Sequence, residues 1–140
     1  MKHTRRWAPL ILLLLVLIPF WDLLSAAPHQ VIGGGAAGND LTFMFLNWWD
    51  FALESVRNGE FPLWNPYLYA GTPFVANPQP ALFYPPVWVI AALPLTRAVT
   101  ALYLFHLWIA ALGMYRWLAD EVKDDLAAYL GALVFAFSGY

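Results

Sequence analysis

Hydrophobic and polar positions divide the chain into three apolar blocks separated by one long mixed segment and one short polar turn. Trp7 to Leu24 is apolar, broken only by Pro9, Pro19 and Asp22, and is preceded by Lys2, Arg5 and Arg6. A helix over these 18 residues spans about 27 Å, close to the hydrocarbon thickness of a bilayer. Ser25-Ala26-Ala27 is a small-residue stretch of the kind cleaved after a signal peptide. Against cleavage, the apolar run is long for a signal core and Pro28 would follow the cut directly, so residues 1–27 are expected to be a retained first membrane helix. The block from Ala98 to Leu118 holds His106 near its centre and Arg116 near its end. Its 21 residues reach about 31 Å as a helix, enough to cross, with Arg116 snorkelling to the near surface. Residues 119–125 read as a polar turn. Residues 126–140 are apolar again, and read as the start of a third span whose completion lies beyond a fragment.

Between the first two spans lie residues 28–97. Gly33-Gly34-Gly35 and Gly38 make a flexible entry. Residues 41–58 then carry Asn47, Asp50, Glu54 and Arg57 at spacings of three and four, a narrow polar stripe at helical period. Phe43, Met44, Phe45, Trp48, Trp49, Phe51, Leu53 and Val56 fill the remaining face. A helix this apolar is expected along the membrane surface or against other membrane helices. Gly59 and Pro62 supply its stop signal. From Glu60 to Pro86 seven prolines exclude regular helix, yet Phe61, Trp64, Tyr67, Tyr69, Phe74, Phe83 and Tyr84 make the segment too aromatic for a disordered linker. It reads as an ordered, packed loop. Val87 to Leu93 is a short apolar piece dipping into the interface, ended by Pro94.

Composition agrees with lipid as the solvent. Apolar residues make up 61% and charged residues 11%, far fewer than a water-facing surface requires. The net charge of −2 and the lack of a basic run exclude nucleic acid as a natural partner. With no cysteine there can be no disulfide or thiolate metal site. The expected architecture is therefore all-α integral membrane, multi-pass. The basic N-terminus lies in the cytoplasm by the positive-inside rule, residues 28–97 outside, and the polar turn inside.

Candidate chemistry concentrates in the exterior segment. Asp40, at the head of the helix, suits a general base taking a proton from a hydroxyl, or a hard oxygen ligand for a divalent cation. It equally suits a helix N-cap. Asp50 and Glu54 share a helix face and read either as a paired carboxylate site or as a solvated stripe with Arg57. Trp64, Asn65, Tyr67, Asn77 and Gln79 mix aromatic rings with amides, which fits a sugar's apolar face and hydroxyls, or a loop packing on helices. Arg97 could hold a phosphate or anchor at the interface. His106 in mid-span is either functional or hydrogen-bonded to a neighbouring helix. Walker, dinucleotide-fold, zinc and nucleophile-elbow motifs are all missing from the sequence.

Several stretches resemble a known family. Asn39-Asp40-Leu41-Thr42, Gly59-Glu60-Phe61-Pro62-Leu63-Trp64-Asn65-Pro66-Tyr67 and Gly71-Thr72-Pro73-Phe74 are similar to the first exterior loop of bacterial YfhO-type membrane proteins. Ala76-Asn77-Pro78-Gln79, Leu82-Phe83-Tyr84-Pro85-Pro86 and Ala136-Phe137-Ser138-Gly139-Tyr140 extend the likeness over residues 38–140. That family resembles GT-C glycosyltransferases, multi-span helical bundles that move sugar from a polyprenyl-phosphate carrier to an acceptor outside the membrane. The resemblance implies Asp40 as the catalytic acid or metal ligand. With the residue reading above, Asn39, Trp64, Asn65, Tyr67, Asn77, Gln79 and Arg97 are the expected substrate contacts, and Mg²⁺ or Mn²⁺ is the cation that Asp40 could hold. The partners implied are membrane lipid, a polyprenyl-phosphate-linked sugar and a cell-envelope acceptor, in the bacterial cytoplasmic membrane. One departure is Gly38-Asn39-Asp40, where the family commonly reads Gly-Asp. The rival expectations are a non-catalytic multi-span protein for transport or lipid flipping, and a secreted, membrane-associated binding module.

Overall fold

The computed structural model describes residues 2–25, 40–90 and 92–138 of the chain. The elements are helix α1 (Lys2–Leu17), a 3-10 turn (Ile18–Phe20), α2 (Trp21–Ser25), a π-helical turn (Leu41–Phe45), α3 (Leu46–Arg57), strands β1 (Trp64–Asn65) and β2 (Thr72–Pro73), α4 (Pro85–Ile90), α5 (Leu95–Glu121) and α6 (Asp125–Ala136). They group into two compact units, Met1–Ala26 with Tyr103–Tyr140, and Ala27–Leu102.

The first unit is a three-helix assembly. Ala8, Leu12 and Val16 recur every four residues along α1 and are fully buried. The helices they meet present small or flat residues: Ala111, Tyr115 and Ala119 on α5, and Ala128 and Ala132 on α6. Small residues let helix backbones approach closely, the packing mode favoured where lipid surrounds the helices. Gly131 illustrates the closeness, since a Cβ there would lie 2.5 Å from Leu118 Cδ1. Pro9 sits inside α1, and its carbonyl accepts a hydrogen bond from Trp108 Nε1 (2.9 Å) on α5. At one end Arg5 pairs with Asp120 (2.7 Å), donates to the Ala119 carbonyl and lies 3.6 Å from Asp125. At the other, Phe20 meets Tyr103 edge-on and stacks near Phe137.

The outward faces are apolar. Leu10, Leu14, Ile18, Trp21 and Leu24 form a continuous exposed stripe along the first helix, and Leu126, Leu130 and Val134 do so on α6. Two stretches, Arg5–Leu24 and Leu95–Glu121, are long and apolar enough to cross a membrane, and most of each lies open rather than inside the fold. The second helix is longer than the sequence pattern implies, because Leu95 to Arg97 and Ala119 to Glu121 extend it at both ends. Helix α6 is shorter than expected: its 12 residues rise about 18 Å, less than a hydrocarbon core. It stops at Ala136, where Phe137 caps the last turn and Ser138 Oγ donates to the Phe135 carbonyl (2.9 Å). Its start follows the sequence closely, with Asp124 accepting from Ala127 N (3.0 Å) as N-cap.

The second unit is built on α3. Its polar stripe is exposed as expected, while Trp48, Ala52 and Leu53 are buried. The proline-rich loop covers much of that face: Phe74 and Leu82 join Trp48 and Ala52 in one core, with Phe51, Val75 and Trp88 against it, while Ala52 and Leu53 also border a recess with Leu95, Ala98 and Val99 of α5. Two indoles fasten the loop, Trp49 Nε1 donating to the Pro80 carbonyl (2.9 Å) and Trp88 Nε1 to that of Leu82. The α3 terminus is a Schellman motif: Gly59 at φ +81°, Gly59 N to Val56 O (3.0 Å) and Glu60 N to Ser55 O (2.9 Å). The loop contains a small antiparallel hairpin that the sequence pattern does not reveal, pairing Trp64 with Pro73 and Asn65 with Thr72. Pro85 and Pro86, expected in irregular chain, instead open α4, since the first turn of a helix needs no N–H from them.

Gly71 sits at φ +114° under the Trp64 ring, and a Cβ there would lie 2.6 Å from Trp64 Cζ2. Gly71→Ala is expected to destabilise the loop unit by about 1–3 kcal/mol, from the left-handed backbone and the clash together. Gly113, in α5, has open space around its missing Cβ. Gly113→Ala is expected to be neutral or to stabilise by up to about 1 kcal/mol. Thermal unfolding followed by tryptophan near-UV dichroism distinguishes the two.

Candidate functional site

Asp40 is exposed and already helical (φ −55°, ψ −32°), with no side-chain capping hydrogen bond. The N-cap alternative therefore does not hold, because a cap residue flanks the helix in a non-helical conformation and turns its oxygen back onto the free amides. Asn39 lies outside the described residues. Immediately after Asp40 the helix widens into the π turn, in which Leu46 N reaches the carbonyl of Leu41. Asn47 Nδ2 donates to the Phe43 carbonyl within that turn (2.8 Å). One-turn π insertions recur at functional positions of helices.

The hairpin and α3 together shape two clefts. The first, of about 480 Å³, is bounded by Phe51, Phe61, Trp64 and Tyr67, with Glu54, Asn58 and Glu60 among them. The second, of about 420 Å³, is bounded by Phe43, Tyr67 and Tyr69, with Asn47, Asp50, Glu54 and Asn65. Phe51, Glu54 and Tyr67 border both. The Tyr67 ring meets Phe51 edge-on at 6.0 Å, and Phe51 meets the core Phe74 at 5.0 Å. The rings are thus buttressed from the core while the tip stays open: Tyr67 is 83% exposed and Tyr69 94%. Tyr69 and Ala70 hold φ of 51° and 61°, left-handed values that a bulky side chain rarely adopts. The arrangement offers flat apolar surfaces beside acceptor-only carboxylates, which suits a polyhydroxylated ring.

Of the residues singled out in the sequence, Trp64, Asn65 and Tyr67 come together here. Asn65 is 3% exposed, and its Oδ1 accepts from Tyr67 N (2.9 Å), an Asx turn that starts the hairpin tip. Asn77 does the same for Gln79 N (3.1 Å), so its oxygen serves the loop backbone, while Gln79 is exposed. Arg97 is exposed in the first turn of α5. Asp40 and Arg97 are not among the residues bordering either cleft. Asp50 and Glu54, equally readable as a solvated stripe, border the clefts instead, together with Glu60 and Phe61. Their three- and four-residue spacing placed the first two on one face, but only the hairpin, invisible in the sequence, turns that face into a wall. Among the described residues no three His, Asp or Glu side chains gather to hold a metal ion.

No family model, curated protein or solved structure matches the chain.

Asn65→Ala removes a buried acceptor that fixes the turn, and is expected to cost about 1–3 kcal/mol and to loosen amide protection across residues 64–73. Gln79→Ala, on the surface, is expected to stay within about 0.5 kcal/mol. Hydrogen exchange and thermal unfolding of the two variants check the assignment.

Proposed function

We propose that the chain is part of a membrane glycosyltransferase that moves a sugar from a polyprenyl-phosphate donor to an acceptor outside the bacterial cytoplasmic membrane. The observation that carries the reading is the cleft where Trp64, Tyr67, Phe51 and Phe61 meet Glu54, Asn58 and Glu60. A sugar presents an apolar ring face and a rim of hydroxyls, and this lining answers both. The motif likeness to YfhO-type proteins supports it independently.

The membrane part of the reading rests on the two long apolar stretches and on their open outward faces. A cleaved signal would have no reason to interlock with later helices. Here α1 does so through Leu12, Val16, the Trp108–Pro9 hydrogen bond and the Arg5 ion pairs. In this reading the basic N-terminus is cytoplasmic by the positive-inside rule and residues 28–97 are outside, where a donor whose lipid tail stays in the bilayer can present its sugar. In this reading Asp40 takes the proton from the acceptor hydroxyl. The acceptor oxygen bonds to the anomeric carbon from the face opposite the phosphate. The carbon–oxygen bond to polyprenyl phosphate breaks, the electron pair leaves with the phosphate, and the product carries inverted configuration.

Asp40→Asn removes the base and nearly keeps the shape. It is expected to lower sugar transfer by about 100-fold or more, measured on envelope glycans of cells carrying the complete protein, with membrane levels unchanged. Glu54→Gln is the comparison. If it abolishes transfer while Asp40→Asn leaves it intact, the base lies in the cleft and not at Asp40. Unchanged glycans in both variants would favour the non-catalytic reading.

A further inference from the structure

A separate cleft of about 260 Å³ opens within the three-helix unit, between the first turns of α1 and the last turns of α5. Its wall combines Arg5 and Arg116 with the apolar Ala8, Pro9 and Leu112. The two arginines differ in their commitments. Arg5 is held by Asp120, by the Ala119 carbonyl and by Asp125. Arg116 is exposed and forms no ion pair among the described residues. Asp120 is the one acid in the wall and is already matched by Arg5, so the charge facing an incoming group is that of Arg116. Tyr115 also lines the cleft and is 2% exposed. Its ring lies 4.5 Å from that of Tyr129, and neither buried hydroxyl makes a hydrogen bond of good geometry. The recess is therefore apolar-walled, with the uncommitted guanidinium of Arg116 in its wall and two long apolar helices beside it.

We propose that this cleft binds the phosphate of an anionic phospholipid headgroup, with Arg116 as its principal contact. The inference rests on the membrane reading above, though not on sugar transfer. Basic recesses between membrane helices hold anionic headgroups, and a guanidinium suits phosphate oxygens in two-point contact. Arg5, neutralised by its two carboxylates, shapes the cleft beside Arg116 without adding net charge to it. Pro9 and Leu112 face the glycerol and first methylene groups. A zwitterionic headgroup brings its own cation and gains less from the same site. Free orthophosphate shares the oxyanion but lacks the chains that keep a lipid beside the helices.

The full chain, reconstituted in nanodiscs of equal parts phosphatidylcholine and phosphatidylglycerol, is released for native mass spectrometry of retained lipid. Phosphatidylglycerol is expected to be enriched about fivefold, the worth of one arginine at a membrane surface. Arg116→Gln should bring the ratio to parity. Arg6→Gln, an exposed arginine outside the cleft wall, should keep the enrichment. Parity in the unaltered chain, enrichment that survives Arg116→Gln, or equal loss in Arg6→Gln would each overturn the proposal. Displacement by excess orthophosphate would support phosphate recognition and overturn a lipid as its source. Release of the chain from membranes by alkaline carbonate would defeat the membrane reading itself. Retention with parity would defeat only this inference.

Discussion

The constraint on which the structure depends is that its helices carry apolar side chains on faces that none of the other described residues covers. A helix satisfies its own backbone hydrogen bonds, so it can place such faces in lipid without cost, which irregular chain cannot do. The Arg5–Leu24 and Leu95–Glu121 stretches are long and apolar enough to do so. The helices are held together by alanines at the contacts, one indole on a proline carbonyl, and an arginine shared by two aspartates.

The loop unit meets the opposite problem. Its backbone is irregular, so its polar groups need partners, and its side chains are aromatic, so they need cover. Both needs are met by the same residues. Trp49 on α3 and Trp88 on α4 are half-buried, and their N–H groups bind the loop carbonyls of Pro80 and Leu82. Asn65 and Asn77 close turns with their own side chains. The rings left over, Trp64, Tyr67 and Tyr69, stand at the hairpin rather than in the core, and a sugar-binding reading draws on that surplus.

Much of the fold is legible in the sequence, and the exceptions have local causes. The helical period of Asn47, Asp50, Glu54 and Arg57 gave α3 and its exposed face, and Gly59 gave its end, because both depend on neighbours a few residues away. Asp124 was readable as part of a polar turn for the same reason. The Trp64–Pro73 pairing was not readable, since two-residue strands carry no period and their register is set by Gly71 beneath the Trp64 ring. The π turn was equally hidden, as an extra residue in a helical turn leaves no compositional mark. Asp40 was readable as a chemical candidate, but its helical backbone, which removes the cap alternative, was not. The clefts depend on the hairpin meeting α3, so the placement of Glu54 and Glu60 beside the aromatic rings emerges only in three dimensions.

The proposal tested most directly is the topology read from the sequence: residues 28–97 outside the membrane and the turn before α6 inside. The chain has no native cysteine, so single cysteines report cleanly on sidedness. Gln79→Cys in the loop and Lys123→Cys in the turn before α6, both at exposed positions, are treated with a membrane-impermeant maleimide in intact cells. The account predicts labelling of the first in intact cells, and of the second only after permeabilisation. Equal labelling of both in intact cells, or labelling of Lys123→Cys alone, would contradict it.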